Sequence, residues 1–338
     1  MTYRFFLLLL LLFSACKPER KIDTAFYFWK TRYNGTPLER QYVDSLHAKK
    51  LYVRIMDVSL DEISGSPVPV TPIVFKDKLP RGLEIVPVVF ISNNILLDTS
   101  KPKLHELASR ILRFVEAKVQ QAGKSKFDEL QIDCDWTAST RGSYFYLLQE
   151  IADGLKGRVL SATLRLHQLK NLERNGVPPV DRVMLMCYNM GNLRKYGDQN
   201  SILDLAELKK YAGENLTRYP VKMDLGLPLF SWAVVFRDRQ YAGISKTIRL
   251  ADLQKRNQFI FRGKNRYSAL INMPQYGIRA NDELRWEDCS IKQLGEVANY
   301  LSPLLSRDSL NLIYFHLDEA TIKHFSPYEL QKTADLLR

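Results

Sequence analysis

Apolar and polar positions along the chain follow two alternating periods. Runs rich in β-branched and aromatic residues read as strands at 24–33, 51–59, 83–92, 127–137, 158–167, 181–190, 221–232 and 310–318. Between them, apolar residues recur at helical spacing. The segment 105–121 is the strongest case, with Leu107, Ile111, Leu112, Phe114, Val115 and Val119 on one broad face. Further helices are expected at 38–50, 142–155, 202–211, 291–305 and 327–337, with a short one at 169–176. Pro87 interrupts the third strand, which calls for a bulge or a special hydrogen-bonding position there. The Pro- and Gly-bearing stretch 61–81 reads as a long loop or a degraded second crossover. Segment 233–290, with strand-like pieces at 267–273, reads as an insertion over the barrel mouth. Eight strands alternating with helices or their substitutes predict an α/β fold, a somewhat degraded (β/α)8 TIM barrel with an insertion after strand seven. It forms a single domain over 24–338. An open doubly wound sheet is the rival, but no G-x-G-x-x-G turn follows Tyr33 or Ser59.

The fourth strand, within FDELQIDCDWTAST at 127–140, carries the most chemistry. Leu130, Ile132 and Cys134 point one way, and Gln131, Asp133, Asp135 and Thr137 the other. Inside a closed barrel that polar row faces the interior and ends at the catalytic face. The alternative, an edge strand with solvated acids, suits the apolar flanking strands poorly.

The C-terminal ends of the other strands supply Trp29, Asp57, Arg165, His167, Tyr188, Asn189, Trp232, His316, Asp318 and Glu319, beside Asp133, Asp135, Trp136 and Thr137. Acids, amides and indole rings in one circle suit a carbohydrate: carboxylates accept hydroxyl protons and rings stack on sugar C–H faces. Singly, each has a plainer role. Trp29 and Trp232 could be packing, His167 and His316 satisfied histidines, and Asp57 a partner of Arg54 or Arg165.

The chain's 338 residues and 46% hydrophobic content suffice for one large core. The net charge of +12 is spread along the chain rather than gathered in an arm, so nucleic acid is not expected. Anionic lipid, acidic polysaccharide or a merely solvated basic surface remain open. Arg4, the apolar run 5–13 and Ser14-Ala15-Cys16 read as a signal peptide over 1–15, with an apolar run too short to span a bilayer. The sequence LFSAC at 12–16 resembles a bacterial lipobox. That resemblance implies cleavage before Cys16, lipidation of its thiol, and a polar tether over 16–23. It places the protein on a bacterial cell envelope, at the outer membrane or the periplasmic face. A plain secretory signal with an incidental Cys16 is the alternative. Cys134, Cys187 and Cys289 make no disulfide framework and lack zinc spacing, so neither a metal nor a cofactor is expected. We expect a monomer.

Three motifs, in order, resemble those of the family 18 glycoside hydrolases, the chitinase-like barrels. The family's D-x-x-D-x-D-x-E is met by LQIDCDWT at 130–137, its M-x-Y-D by MCYN at 186–189, and its G-x-P-x-Y/F by GLPLF at 226–230. The chain also resembles bacterial lipoproteins with glycosidase-like barrels. The resemblance implies that Asp135 positions a substrate N-acetyl group as nucleophile, with Tyr188 in support. The departures are Leu130 for the first Asp, Asn189 for the sixth-strand Asp, and Thr137 for the Glu that is the family's general acid. Three readings follow. The chain is a glycosidase in which Asp135 works with a relocated acid at Asp318, Glu319 or Asp57; or a non-catalytic glycan-binding lipoprotein; or a structural envelope lipoprotein whose acids pair with Arg54 and Arg165.

Overall fold

The structure is a computed structural model and describes residues 19–338; the expected signal peptide and Cys16 lie outside the described residues. Eight parallel strands follow one another around a barrel: Ile22–Phe28, Lys50–Leu60, Glu84–Ile91, Glu129–Cys134, Val159–Arg165, Arg182–Met186, Lys222–Pro228 and Leu310–Phe315. The first pairs with both the second and the last, which closes the sheet. Closure is what makes a period of two meaningful on both faces. Leu130, Ile132 and Cys134 are buried outward beneath the helix layer, which includes Lys101–Gln121 and Arg141–Leu155. Glu129, Gln131 and Asp133 are buried inward.

The interior is an apolar plug resting on a polar base. Tyr27, Tyr52, Val86, Val88, Met184, Tyr188 and Ile313 fill the middle. Near the N-terminal ends of the strands, Lys50 Nζ lies 2.9 Å from Glu129 Oε2, and Ser161 Oγ donates to the same carboxylate at 2.8 Å. Arg182 pairs with Asp224, which also accepts from Asn311. Charges this deep are tolerable because each carboxylate has several donors.

Three sequence expectations gain detail. Strand two slips register between Arg54 and Met56, one residue beyond the Val53–Pro87 pair, so a bulge does accompany the proline. Among the described residues no helix lies between strands two and three, as the loop reading of 61–81 has it. Instead Pro67–Val70 folds back antiparallel on strand two, and Val74–Phe75 pairs with Arg32–Tyr33. Within the stretch 16–23 expected as a polar tether, the described residues 20–23 are already part of the fold. Arg20 is buried, and its guanidinium donates to the carbonyls of Ser302, Leu305, Ser306 and Leu337, which ties the chain start to its last elements.

Strand seven ends at Pro228 rather than at Trp232, which instead begins the insertion. The insertion is an antiparallel five-stranded sheet running from Trp232–Arg237 to Glu283–Glu287. It has its own apolar cluster, with Val235, Leu253, Phe259, Tyr267 and Leu284 at its centre. It is thus a subdomain, not a loop of the barrel. Arg285 and Glu287 pair at full burial on its central strand. Arg285 also donates to the carbonyls of Leu193 and Lys195, and Glu287 accepts from Ser201 and Trp232, fixing the subdomain to the loop after strand six.

Candidate functional site

A cavity of about 300 Å3 opens at the C-terminal ends of the strands. Asp57, Asp133, Asp135, Arg165 and Asn189 supply its polar wall, and Tyr27, Trp29, Tyr188 and Phe315 its aromatic wall. The rings brace one another. Phe315 lies 5.5 Å from Trp29 and 5.3 Å from Tyr188, and Tyr27 meets Trp29 edge-on at 5.7 Å. Gly226 on strand seven is needed for this packing. A Cβ there would sit 2.6 Å from Met184 Sδ and 3.0 Å from Tyr188 Cε1.

The three carboxylates differ in environment. Asp133 is buried and accepts from Thr163 Oγ1 at 2.6 Å. Burial pushes its carboxyl up to about 6; the Thr163 hydrogen bond opposes this, and the neighbouring Asp135 charge adds to it. Asp135 is more open, its side chain 42% exposed, and Arg165 grips it through Nε and through Nη2 at 2.7 Å from Oδ2. Asp57 is held in the same two-pronged way by Arg54, with Nε at 2.7 Å from Oδ1 and Nη2 at 2.5 Å from Oδ2. Each of the two accessible carboxylates is therefore neutralised by its own arginine.

No protein family matches the sequence, and no curated protein does. Solved structures share its fold. The spore cortex-lytic enzyme SleL of Bacillus cereus superimposes with a TM-score of 0.57 at 13% identity, over 95% of this chain and 75% of its own. A chitinase from Chromobacterium violaceum ATCC 12472 gives 0.53 at 14% identity, over 94% and 99%. The Ostrinia furnacalis Group IV chitinase, in complex with allosamidin, gives 0.53 at 10% identity, over 94% and 98%. The fold is a chitinase-like TIM barrel. At these identities the likeness is one of fold, so the chemistry rests on this chain's own residues.

Several expected residues of the chitinase-like barrel lie outside its cavity. Trp136 is fully buried on the outer side, stacked on Tyr144 at 5.0 Å with Nε1 donating to the Asn175 carbonyl at 3.0 Å. The reason is parity: it follows Asp135 by one, so it shares the outward face of Ile132 and Cys134. Thr137 is exposed and bonded to Ser139 and Thr140, and is not part of the cavity lining. Asp318 caps the turn Glu319–Ile322 by accepting from Ala320 N–H at 3.1 Å, and pairs with Lys30 at 3.3 Å. Glu319 is exposed beyond it. Neither lines the cavity. Trp232 donates its Nε1 to Glu287 at 2.8 Å and packs on Phe230, also outside the cavity.

His316 follows Phe315 at the end of strand eight, with a buried Nδ1 that has no partner among the described residues. Burial, aided by the charges of Lys30 and Lys246 and opposed by Asp318, lowers its pKa to about 4. His167 lines a smaller side cavity next to the main one. Burial and then the Arg165 charge lower its pKa, so it is neutral near pH 7. Tyr27, Phe90, Thr163, Met186 and Phe315 were missed in the sequence, although for most of them the signal exists. Tyr27, Thr163 and Met186 each stand two residues before Trp29, Arg165 and Tyr188, in the same inward row.

Proposed function

We propose that this chitinase-like barrel binds a glycan at its mouth without cleaving it, and does so on a bacterial cell envelope to which a lipid on Cys16 tethers it. The observation that carries the reading is the closure of Asp135 by Arg165, with Thr137 where the resembled family has its acid. A paired carboxylate still accepts hydroxyl protons through its remaining lone pairs, but it is a poor nucleophile or base. The aromatic wall and the carboxylate–amide wall provide stacking and hydrogen bonding for one sugar face. A cavity of about 300 Å3 is at the small end of ligand sites. The Ostrinia furnacalis chitinase holding allosamidin is a neighbour of the same fold.

The test uses protein beginning at Lys17, which omits Cys16 and keeps Arg20. It is titrated by calorimetry against a broad panel of polysaccharides and bacterial wall fragments, with new reducing ends assayed in parallel. Binding that Trp29→Ala weakens, without release of reducing ends, is the expected result. Release of reducing ends by the wild type overturns the non-catalytic reading.

Asp133 supports a second reading. A buried carboxyl that holds its proton to about pH 6 has the tuning of a general acid. In that case the wild type releases reducing ends and Asp133→Asn does not.

A further inference from the structure

The mouth cavity does not end at Arg165. A second cavity of about 110 Å3 adjoins it, and Arg165, Tyr188 and Asn189 line both. Leu166, His167, Met190, Gly191 and Tyr211 complete the smaller one. By volume it holds about four waters, enough for a substituent but not for another ring.

Its polar groups are unspent. Arg165 commits Nε and Nη2 to Asp135, and its Nη1 has no hydrogen-bond partner among the described residues. The same is true of the exposed His167 ring and Asn189 amide, which are open to solvent, and of the Tyr188 hydroxyl; His167 is bonded only through its carbonyl. Asn189 is held at φ +54°, a left-handed conformation that few residue types other than glycine accept readily, between Tyr188 and the turn at Gly191. No carboxylate lines this cavity, and Lys170 lies over its Tyr211 ring at 5.4 Å. The main cavity, in contrast, has three carboxylates. The two chambers therefore differ: three carboxylates line the larger and none the smaller, where the donors of Arg165, His167, Tyr188 and Asn189 gather.

We infer that the side cavity is a specificity pocket for a carboxylate carried by the sugar bound in the mouth, as in a uronic acid. This rests on the glycan reading and narrows it to acidic glycans. Arg165 then serves two carboxylates, Asp135 through one edge and the ligand through Nη1. Tyr188 and Asn189 stand where ring and substituent meet and can donate to either. A neutral acyl amide also offers an acceptor to these donors, so the charge is what the test must isolate.

The experiment is calorimetry on protein beginning at Lys17. Glycans containing glucuronate, galacturonate or mannuronate are each compared with the carboxyl-reduced twin, beside neutral and N-acetylated oligosaccharides. We expect at least one acidic glycan to bind about tenfold or more tighter than its twin, since hydrogen bonds to charged groups carry this much. The net charge of +12 attracts any polyanion, so the ratio is measured again at high salt, where only a seated carboxylate retains its advantage. His167→Ala and Asn189→Gly, neither of which touches Asp135, should bring the ratio toward one, as should Arg165→Gln. Neutral or N-acetylated glycans binding as well as acidic ones overturns the inference and leaves the glycan reading standing. A ratio that survives the His167 and Asn189 variants also overturns it. Failure of every glycan to bind overturns both.

Discussion

Arg165 grips Asp135 with two nitrogens across 30 residues of sequence, Nη2 standing 2.7 Å from Oδ2 at the end of adjacent strands. The contact sets the character of the mouth, because it occupies the most exposed of the three cavity carboxylates. Asp135→Asn leaves Arg165 a weaker, uncharged acceptor. Glycan affinity should fall by about tenfold, and folding stability by no more than about 1 kcal/mol because the pair is partly exposed. Calorimetry and urea unfolding report the two separately. A loss of several kcal/mol of stability would make the pair a structural element rather than part of a binding site.

Asp133 and His316 should tilt the pH dependence of stability in opposite directions. The folded protein raises Asp133 from 3.8 to about 6, so it holds that proton more tightly than the unfolded chain does. The stability this provides is full below about pH 4 and is lost as pH rises through 6, on the order of 2–3 kcal/mol. Asp133→Asn should therefore gain on the wild type above pH 6 and match it near pH 4. The folded protein lowers His316 from 6.5 to about 4, so its contribution is present above 6.5 and lost as pH falls through 4. His316→Phe should gain on the wild type in acid. Denaturant melts across pH 4 to 8, each variant minus wild type, give two curves of opposite slope if this holds.

The Arg285–Glu287 pair has no exposure, so removing one partner strands the other. Glu287→Gln should cost about 3–5 kcal/mol and loosen the insertion first, since Ser201 and Trp232 lose their charged acceptor at the same time. Limited proteolysis should then cut within 233–288 before the barrel. Cleavage spread evenly over the chain would show that the insertion and the barrel unfold as one unit.

Arg20 closes the floor of the barrel from outside the sheet. Three carbonyls from the segment before strand eight, Ser302, Leu305 and Ser306, and that of Leu337 converge on it. Arg20→Ala leaves those acceptors unpaired and should lower stability by about 2–4 kcal/mol. A variant as stable as the wild type would mean that water replaces the guanidinium without loss.

Gly226→Ala tests the packing behind the aromatic wall. The added methyl meets Met184, which can shift, and the Tyr188 ring, which borders both cavities. Stability should fall by about 1–3 kcal/mol, and glycan affinity with it, because Tyr188 is displaced. Unchanged affinity with reduced stability would place Tyr188 outside the binding surface.

Much of this architecture was legible in the sequence. The alternation of periods predicted a (β/α)8 barrel, the polar row on strand four predicted inward acids, and Pro87 marked a place for a bulge or a special hydrogen-bonding position, beside which the neighbouring strand slips register. These are local signals: which way a side chain points depends on a period of two or 3.6, set by the backbone itself. The same rule, applied strictly, places Trp136 outward with Ile132 and Cys134. Reading the strand end as a cluster rather than as a row put it in the mouth instead.

What lay beyond the sequence is the pairing of side chains from different strands. Asp57 could have met Arg54 or Arg165, and Asp135 could have stood free. Strand order, register and the bulge after Arg54 bring Arg54 to Asp57 and Arg165 to Asp135. Asp318 and Glu319 are near the mouth in sequence terms, but a short helical turn makes one its cap and turns the other to solvent. The sequence by itself determined the barrel, its inward row and the residue types at its open end. Only the tertiary structure decided which charges neutralise each other, that the insertion forms its own sheet, and that a donor-lined chamber opens behind Arg165. Side-chain direction follows from local covalent geometry, whereas charge pairing and cavities follow from distances between segments that meet only when the sheet closes.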